Sequence, residues 1–243
     1  MIAADVTVEG SSVSRFVLVR NSQIVAGGRV DAVVGHARGE GATNVVAMTS
    51  SVESAERAAR VGHSGGVFWL TGLPSVGKST VAMAAQRMLF ERGRNVYVLD
   101  GDTLRTTLNV DLGFSEEDRT ENVRRTAAVA GVLADAGLLV ICALVSPFAA
   151  DRERARAAYP GKFHEIHVAC DLETAEKRDV KGHYRRARAG EIQRFTGISS
   201  PYEVPENPDL RLDTTTHSVS ESAAQLIEYI EEKTGSLTPS GLR

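Results

Sequence analysis

From residue 66 onward, short runs of apolar residues alternate with longer stretches in which apolar positions recur every three or four residues. The short runs fall at residues 67–71, 96–99, 138–144 and 164–169, with a weaker one at 210–213, and each is bounded by polar or glycine residues as a strand would be. Helical spacing fits residues 78–92, 121–136, 151–158, 172–178 and 220–233. Strictly alternating strands and helices predict βαβ units, hence a parallel sheet with helices packed on it. Between residues 180 and 208 the periodicity lapses while Lys, Arg, Gly and Pro accumulate. A long polar loop inside a compact domain is usually functional, so this one is expected to be a lid.

The first 64 residues have another texture. Two β-type runs, 15–20 and 23–25, are separated by Asn21-Ser22 and followed by Ala26-Gly27-Gly28, which predicts a hairpin. Gly- and Ala-rich residues follow, then a polar helical stretch at 52–61. The expected organisation is an N-terminal extension over residues 1–52, one main domain over 53–233 and a flexible tail over 234–243; 243 residues suffice for one α/β domain and an appendage.

Charge and cysteine content narrow the partners. A formal net charge of −3 gives no electrostatic case for nucleic-acid binding. Cys142 and Cys170 lie in apolar stretches without metal or redox spacing and read as small core hydrophobes. No apolar run approaches the ~20 residues that span a bilayer, and the N-terminus lacks a secretory layout, so a soluble cytoplasmic protein with no membrane partner is expected.

The strongest chemical signal is Gly72-Leu73-Pro74-Ser75-Val76-Gly77-Lys78-Ser79, a complete G-x-x-x-x-G-K-[ST] motif between a strand and a helix. Phosphate needs a concave set of backbone N–H donors, and glycines let the chain wrap closely while the helix N-terminus adds a favourable dipole. Lys78 is placed to reach the β- and γ-phosphates, and the Ser79 hydroxyl to ligate Mg²⁺. With Thr80 beyond it, this loop is the expected ATP site. The P-loop NTPase fold follows, but such a loop specifies a nucleotide rather than a reaction.

Leu99-Asp100-Gly101-Asp102 directly follows a predicted strand, which puts both carboxylates at the carboxyl edge of the sheet, where ligands bind in such folds. One carboxylate can act as general base on an attacking hydroxyl or help hold Mg²⁺. Asp102 is the candidate for both roles, with Asp100 beside it at the substrate. Ser146 also lies at this edge, just past a predicted buried strand.

Together with these residues, Leu112-Gly113-Phe114-Ser115, Asp118-Arg119, Glu121-Asn122-Val123-Arg124-Arg125, Ser146-Pro147-Phe148, Arg178-Asp179-Val180-Lys181-Gly182, Phe195-Thr196-Gly197-Ile198 and Pro201-Tyr202-Glu203 resemble adenylylsulfate kinase in order and spacing over about residues 53–233. The resemblance implies an enzyme that uses ATP and Mg²⁺ to phosphorylate the 3′-hydroxyl of adenylyl sulfate, giving 3′-phosphoadenylyl sulfate and ADP in sulfate activation. It implies that Arg105, Phe114, Arg119 and Asn122 hold adenylyl sulfate, with Ser146, Pro147 and Phe148 beside it and Phe195 against its adenine. Lys181 would approach the transferring phosphate from the lid, and Arg178 would stack on the adenine of ATP. An aromatic face suits a purine, and arginines suit sulfate and phosphate oxygens. The family counterpart of Ser146 has been regarded as a phosphorylated serine, but in-line transfer needs no such intermediate, so Ser146 is read first as a positioning residue. A homodimer, and an association with sulfate adenylyltransferase, are likewise implied.

The sequence departs from that family at Thr103 and Thr107, where Asn and Gly are usual, at Ala149, where a polar side chain is usual, and at His183, where the lid usually has Leu. These changes leave open a kinase of the same scaffold acting on a different small-molecule hydroxyl. A noncatalytic nucleotide-binding regulator is the third reading, against which stand the intact Lys78, Ser79 and Asp102. The hairpin segments resemble the last hairpin of the elongation-factor-type barrel in the GTPase subunit of sulfate adenylyltransferase, which implies a fusion remnant too short to form that barrel.

Overall fold

The computed structural model describes residues 14–20, 23–30 and 50–235. The chain divides into two compact units, Met1–Thr49 and Ser50–Arg243. In the first, β1 (Ser14–Arg20) pairs antiparallel with β2 (Gln23–Val30), with a register irregularity between Leu18 and Val19. The second strand therefore runs on through Ala26-Gly27-Gly28, which the sequence placed after it, because pairing with β1 overrides glycine's weak strand preference. The Asn21-Ser22 turn, most of the 1–52 extension and most of the 234–243 tail lie outside the described residues.

In the second unit, α1 (Ser54–Val61) leads into β3 (Gly66–Thr71), α2 (Lys78–Glu91), β4 (Val96–Asp100), α3 (Gly101–Arg105) and α4 (Glu116–Asp135). There follow β5 (Leu139–Ala143), α5 (Ala149–Ala158), β6 (Phe163–Ala169), α6 (Leu172–Lys177), α7 (His183–Arg188), β7 (Leu210–Asp213) and α8 (Val219–Thr234). Five strands form one parallel sheet in the order β4-β5-β3-β6-β7. All five predicted strands of the sheet are present.

Both faces of the sheet are covered, which is why its strands read as continuous apolar runs rather than alternating ones. Phe68 and Leu70 of β3 join Val81, Ala85 and Leu89 of α2 and Leu226, Ile227 and Ile230 of α8 in one core. Val67 and Trp69 point the other way, into a second core with Val123, Ala127 and Ala130 of α4 and Ala155 of α5. Cys142 is fully buried there, whereas Cys170, just past β6, is only partly buried.

Because all strands are parallel, their carboxyl ends share one edge. At that edge β3 passes into the Gly72–Ser79 loop, β4 into α3, and β5 into the Ser146 segment. No described helix is long and apolar enough to cross a membrane.

Candidate active site

The phosphate-binding loop is fixed by two glycines. A Cβ at Gly72 would come within 2.5 Å of the Val168 carbonyl oxygen, so β6 tolerates no side chain there. Gly77 caps α2 at φ 96°, in the left-handed region that an L side chain rarely occupies. The side chain of Lys78 folds back over the loop, where its Nζ donates to the carbonyls of Gly72 (2.8 Å) and Leu73 (2.6 Å). Burial pushes its pKa down to about 7, against a weaker opposing pull from Asp100 and Asp102.

The two acidic residues have separate partners. Asp100 ends β4 and caps α3: its Oδ1 accepts from the backbone N–H of Asp102 (3.1 Å) and Thr103 (3.2 Å). Its Oδ2 accepts from the Ser79 hydroxyl at 2.6 Å, tying the phosphate loop to the acidic segment. Asp102 stands one position into α3, exposed, with Oδ2 accepting from Lys181 Nζ of the lid. That hydrogen bond and the attraction of Asp102 raise the Lys181 pKa. Thus the carboxylate nearest Ser79 belongs to Asp100, whereas the one reached by the lid belongs to Asp102.

Across the cleft, Phe114 is flanked by two guanidiniums. The Arg105 Cζ lies 4.3 Å from the ring centroid and that of Arg119 lies 5.7 Å from it. Arg105 donates to the carbonyls of Leu112 (3.1 Å) and Gly113 (2.7 Å). Arg119 bridges to the lid, donating to Thr196 Oγ1 (2.8 Å) and the Arg194 carbonyl (2.7 Å). Burial lowers the pKa of both arginines; nearby Asp102 and Asp118 oppose this for Arg105, and Arg105 itself adds to it for Arg119. Two partly desolvated guanidiniums side by side make a site that an anion would relieve. Ser115 caps α4 by accepting from the Asp118 N–H, and the helix in turn carries Arg119 and Asn122. The Asn122 Oδ1 accepts from the buried Asn109 side chain at 2.5 Å.

Ser146 is buried and strained, at φ 39°. Its Oγ accepts from the indole N–H of Trp69 at 3.0 Å. Tyr184 of α7 donates to the Pro74 carbonyl (3.0 Å) and packs edge-on against Phe195, with ring centroids 4.9 Å apart.

These elements surround one cleft of about 430 Å³. Of the residues expected from sequence, Pro74, Lys78, Ser79, Asp100, Asp102, Arg105, Phe114, Arg119, Asn122, Ser146, Pro147 and Phe195 line it. Lys181 reaches its edge through Asp102. Gly72, Leu73, Ser75, Val76 and Gly77 of the loop and Thr80 in the first turn of α2 lie behind it and do not themselves line it. Phe148 does not line it either, and instead precedes α5 as its cap. Arg178 also lies outside, donating to the Thr214 carbonyl at 2.8 Å with its other nitrogen 3.9 Å from Cys170 Sγ. The cleft adds Gly101, Val123, residues 143–145, the 192–194 segment and Thr196, none of them assigned to the site from sequence, and His183, which the sequence marks as a departure from the family near the acceptor. The signal that could have found the 192–194 segment is position: it directly precedes Phe195 in the polar loop.

Several known proteins are similar to this chain. The adenylylsulphate kinase family profile matches residues 64–213. An adenylyl-sulfate kinase from Geotalea uraniireducens is 48% identical over 206 residues, covering 83% of this chain and 99% of that protein. A probable adenylyl-sulfate kinase from Halalkalibacterium halodurans is 53% identical over 173 residues, covering 71% and 83%. Among solved structures, the Mycobacterium tuberculosis APS kinase in complex with AMPPNP and APS superposes with a TM-score of 0.66 at 48% identity, covering 69% of this chain and 98% of that one.

Proposed function

The chain belongs to the adenylylsulphate kinase family and is an ATP-dependent adenylyl-sulfate kinase, and we propose that it moves the γ-phosphoryl group directly across the cleft described above. The observation that carries this reading is that Lys78 and Ser79 on one side, Asp102 between, and Arg105, Phe114 and Arg119 on the other all line the same cavity. ATP lies on the loop amides with Lys78 at its β- and γ-phosphates. Adenylyl sulfate lies with its adenine between Phe114 and Phe195 and its anionic groups at Arg105 and Arg119. Asp102 accepts the proton of the 3′-hydroxyl, and Lys181, already paired with Asp102, follows the developing charge. The likeness to a kinase solved with an ATP analogue and APS together supports two nucleotides in one cleft.

The donor set fits Mg²⁺. The Ser79 hydroxyl and the Asp100 carboxylate are hard oxygens held 2.6 Å apart, and Mg²⁺ is commonly bound by one or two such groups together with substrate phosphates. Bound there, Mg²⁺ would neutralise charge on the β- and γ-phosphate oxygens. Asp102, engaged by Lys181, is left for proton transfer.

Ser146 serves as a positioning residue. Its oxygen accepts from Trp69, so its own hydroxyl proton is free to be donated into the cleft. Arg178 donates to the Thr214 carbonyl, and Thr214 Oγ1 donates to the Val76 carbonyl of the phosphate loop, which supports a contact of Arg178 with the adenine of ATP outside the cavity proper. The same reading carries a homodimer, an association with sulfate adenylyltransferase and a cytoplasmic site of action, and it assigns catalysis to residues 53–233.

ADP release with a panel of hydroxyl acceptors tests the proposal. Turnover strongly preferring adenylyl sulfate is expected; turnover independent of it would contradict the reading.

A further inference from the structure

Arg152 of α5 is almost completely buried and does not itself line the cleft. Its three guanidinium nitrogens go to three different elements. Nε donates to Glu165 Oε1 of β6 at 2.5 Å, Nη1 to the Ser146 carbonyl at 2.8 Å, and Nη2 to the Glu203 carbonyl at 2.8 Å. Glu165 is buried as well and is also approached by Arg156 at 3.4 Å. Such a buried fork is costly to build unless every donor is used, and here one donor fixes the charge while two fix backbone.

Those two backbone points matter to the site. Ser146 is a strained residue that lines the cleft, and strain of that kind persists only where surrounding contacts enforce it. Glu203 closes the lid segment. Its N–H donates to the Pro147 carbonyl (2.9 Å) and its Oε2 accepts from the Ala149 N–H (2.6 Å). Tyr202 beside it meets Thr71 Oγ1 at 3.1 Å, at the end of β3.

We propose that Arg152 is a positioning residue that latches the closing end of the lid to the Ser146 corner, so that the acceptor half of the site is held in register with the phosphate loop. The proposal rests on the kinase reading above for its kinetic consequences, though its structural readout does not. Lysine can keep the charge beside Glu165 but cannot hold both carbonyls in a fork.

The test is Arg152→Lys, read three ways. Trp69 is the sole tryptophan and donates to Ser146, so its emission reports the corner directly. Expected are a shifted Trp69 emission, about 100-fold lower kcat with raised KM for adenylyl sulfate, and unchanged affinity for an ATP analogue. Should the variant not fold, Glu203→Ala, which frees the Ala149 N–H and so loosens the same end of the lid, is expected to raise KM for adenylyl sulfate about threefold at unchanged ATP-analogue affinity, and an unchanged KM would overturn the latch. A folded Arg152→Lys with wild-type emission and kcat overturns the proposal, as does loss of ATP-analogue binding in parallel with turnover. Wild-type protein without adenylyl sulfate turnover would instead refute the kinase reading, leaving Trp69 emission to decide the latch.

Discussion

The two sides of the cleft are built by opposite means. The donor side is local: eight consecutive residues run from the end of β3 into the first turn of α2, and distant residues only brace them, through the Ser79–Asp100 hydrogen bond and through Tyr184 and Thr214 donating to the Pro74 and Val76 carbonyls. The acceptor side is assembled from α3, the start of α4, the Ser146 corner and the lid, with Arg119 reaching a residue 77 positions away. A local site inherits its geometry from backbone conformation, whereas an assembled one depends on side-chain bridges that single substitutions can remove. The donor side is therefore expected to tolerate loss of any one acceptor bridge, while the acceptor side is not.

The largest effect is expected where the two sides meet. Asp102→Ala should lower kcat about 10³-fold while leaving ATP binding intact, since it removes the proton acceptor and not the cradle. Single-turnover kinetics with an ATP-binding titration would check this; a loss confined to binding would break the division. Next, Arg119→Ala should lower kcat/KM for adenylyl sulfate about 10- to 100-fold through loss of charge-assisted hydrogen bonds, with ATP-analogue affinity unchanged. Equal losses for both nucleotides would show that the sides are not separable.

A smaller effect concerns pH and belongs to the donor side alone. Lys78 sits at about 7 in the free protein against its ordinary 10.5, because burial penalises the ammonium. Phosphate favours the charged form, so ATP binding at pH 8 should take up close to one proton, with affinity falling by up to about tenfold per pH unit above pH 7. Calorimetry in buffers of different ionisation enthalpy reads this directly. The sign for folding is the reverse of a stabilising ion pair: the cost of burying the charged lysine is fully present below pH 7 and is relieved as pH rises toward 10.5. Smallest of all, removing residues 1–49 should change kcat by less than about twofold, since the family match lies within residues 64–213 and every residue lining the cleft lies beyond residue 73.

The same contrast governs what could be read from the amino-acid sequence. The sheet and the phosphate loop were legible because apolar runs and a contiguous motif encode them without reference to distant residues. Helix α4 begins at Glu116, five residues before its apolar periodicity, because Glu116, Glu117 and Asp118 form a polar first turn that only the Ser115 cap announces. Helices α3 and α7, five and six residues long, are too short to show a period. Asp100 was legible as an acidic residue at the sheet edge, but not that its carboxylate is divided between capping α3 and meeting Ser79. The acceptor residues were reached through family resemblance, since nothing in spacing links Arg119 to Thr196. The latch through Arg152 had no signal, because a buried arginine on an amphipathic helix looks like a surface one.

In the proposed reaction ATP and the acceptor meet in one cleft and exchange the phosphoryl group in a single displacement, with Ser146 positioning the groups and never carrying the phosphate. Transfer from ATP made chiral at the γ-phosphorus by oxygen isotopes tests it most directly. Inversion of configuration in the 3′-phosphoadenylyl sulfate formed is the result expected; retention, which requires a phosphorylated protein intermediate, would contradict it.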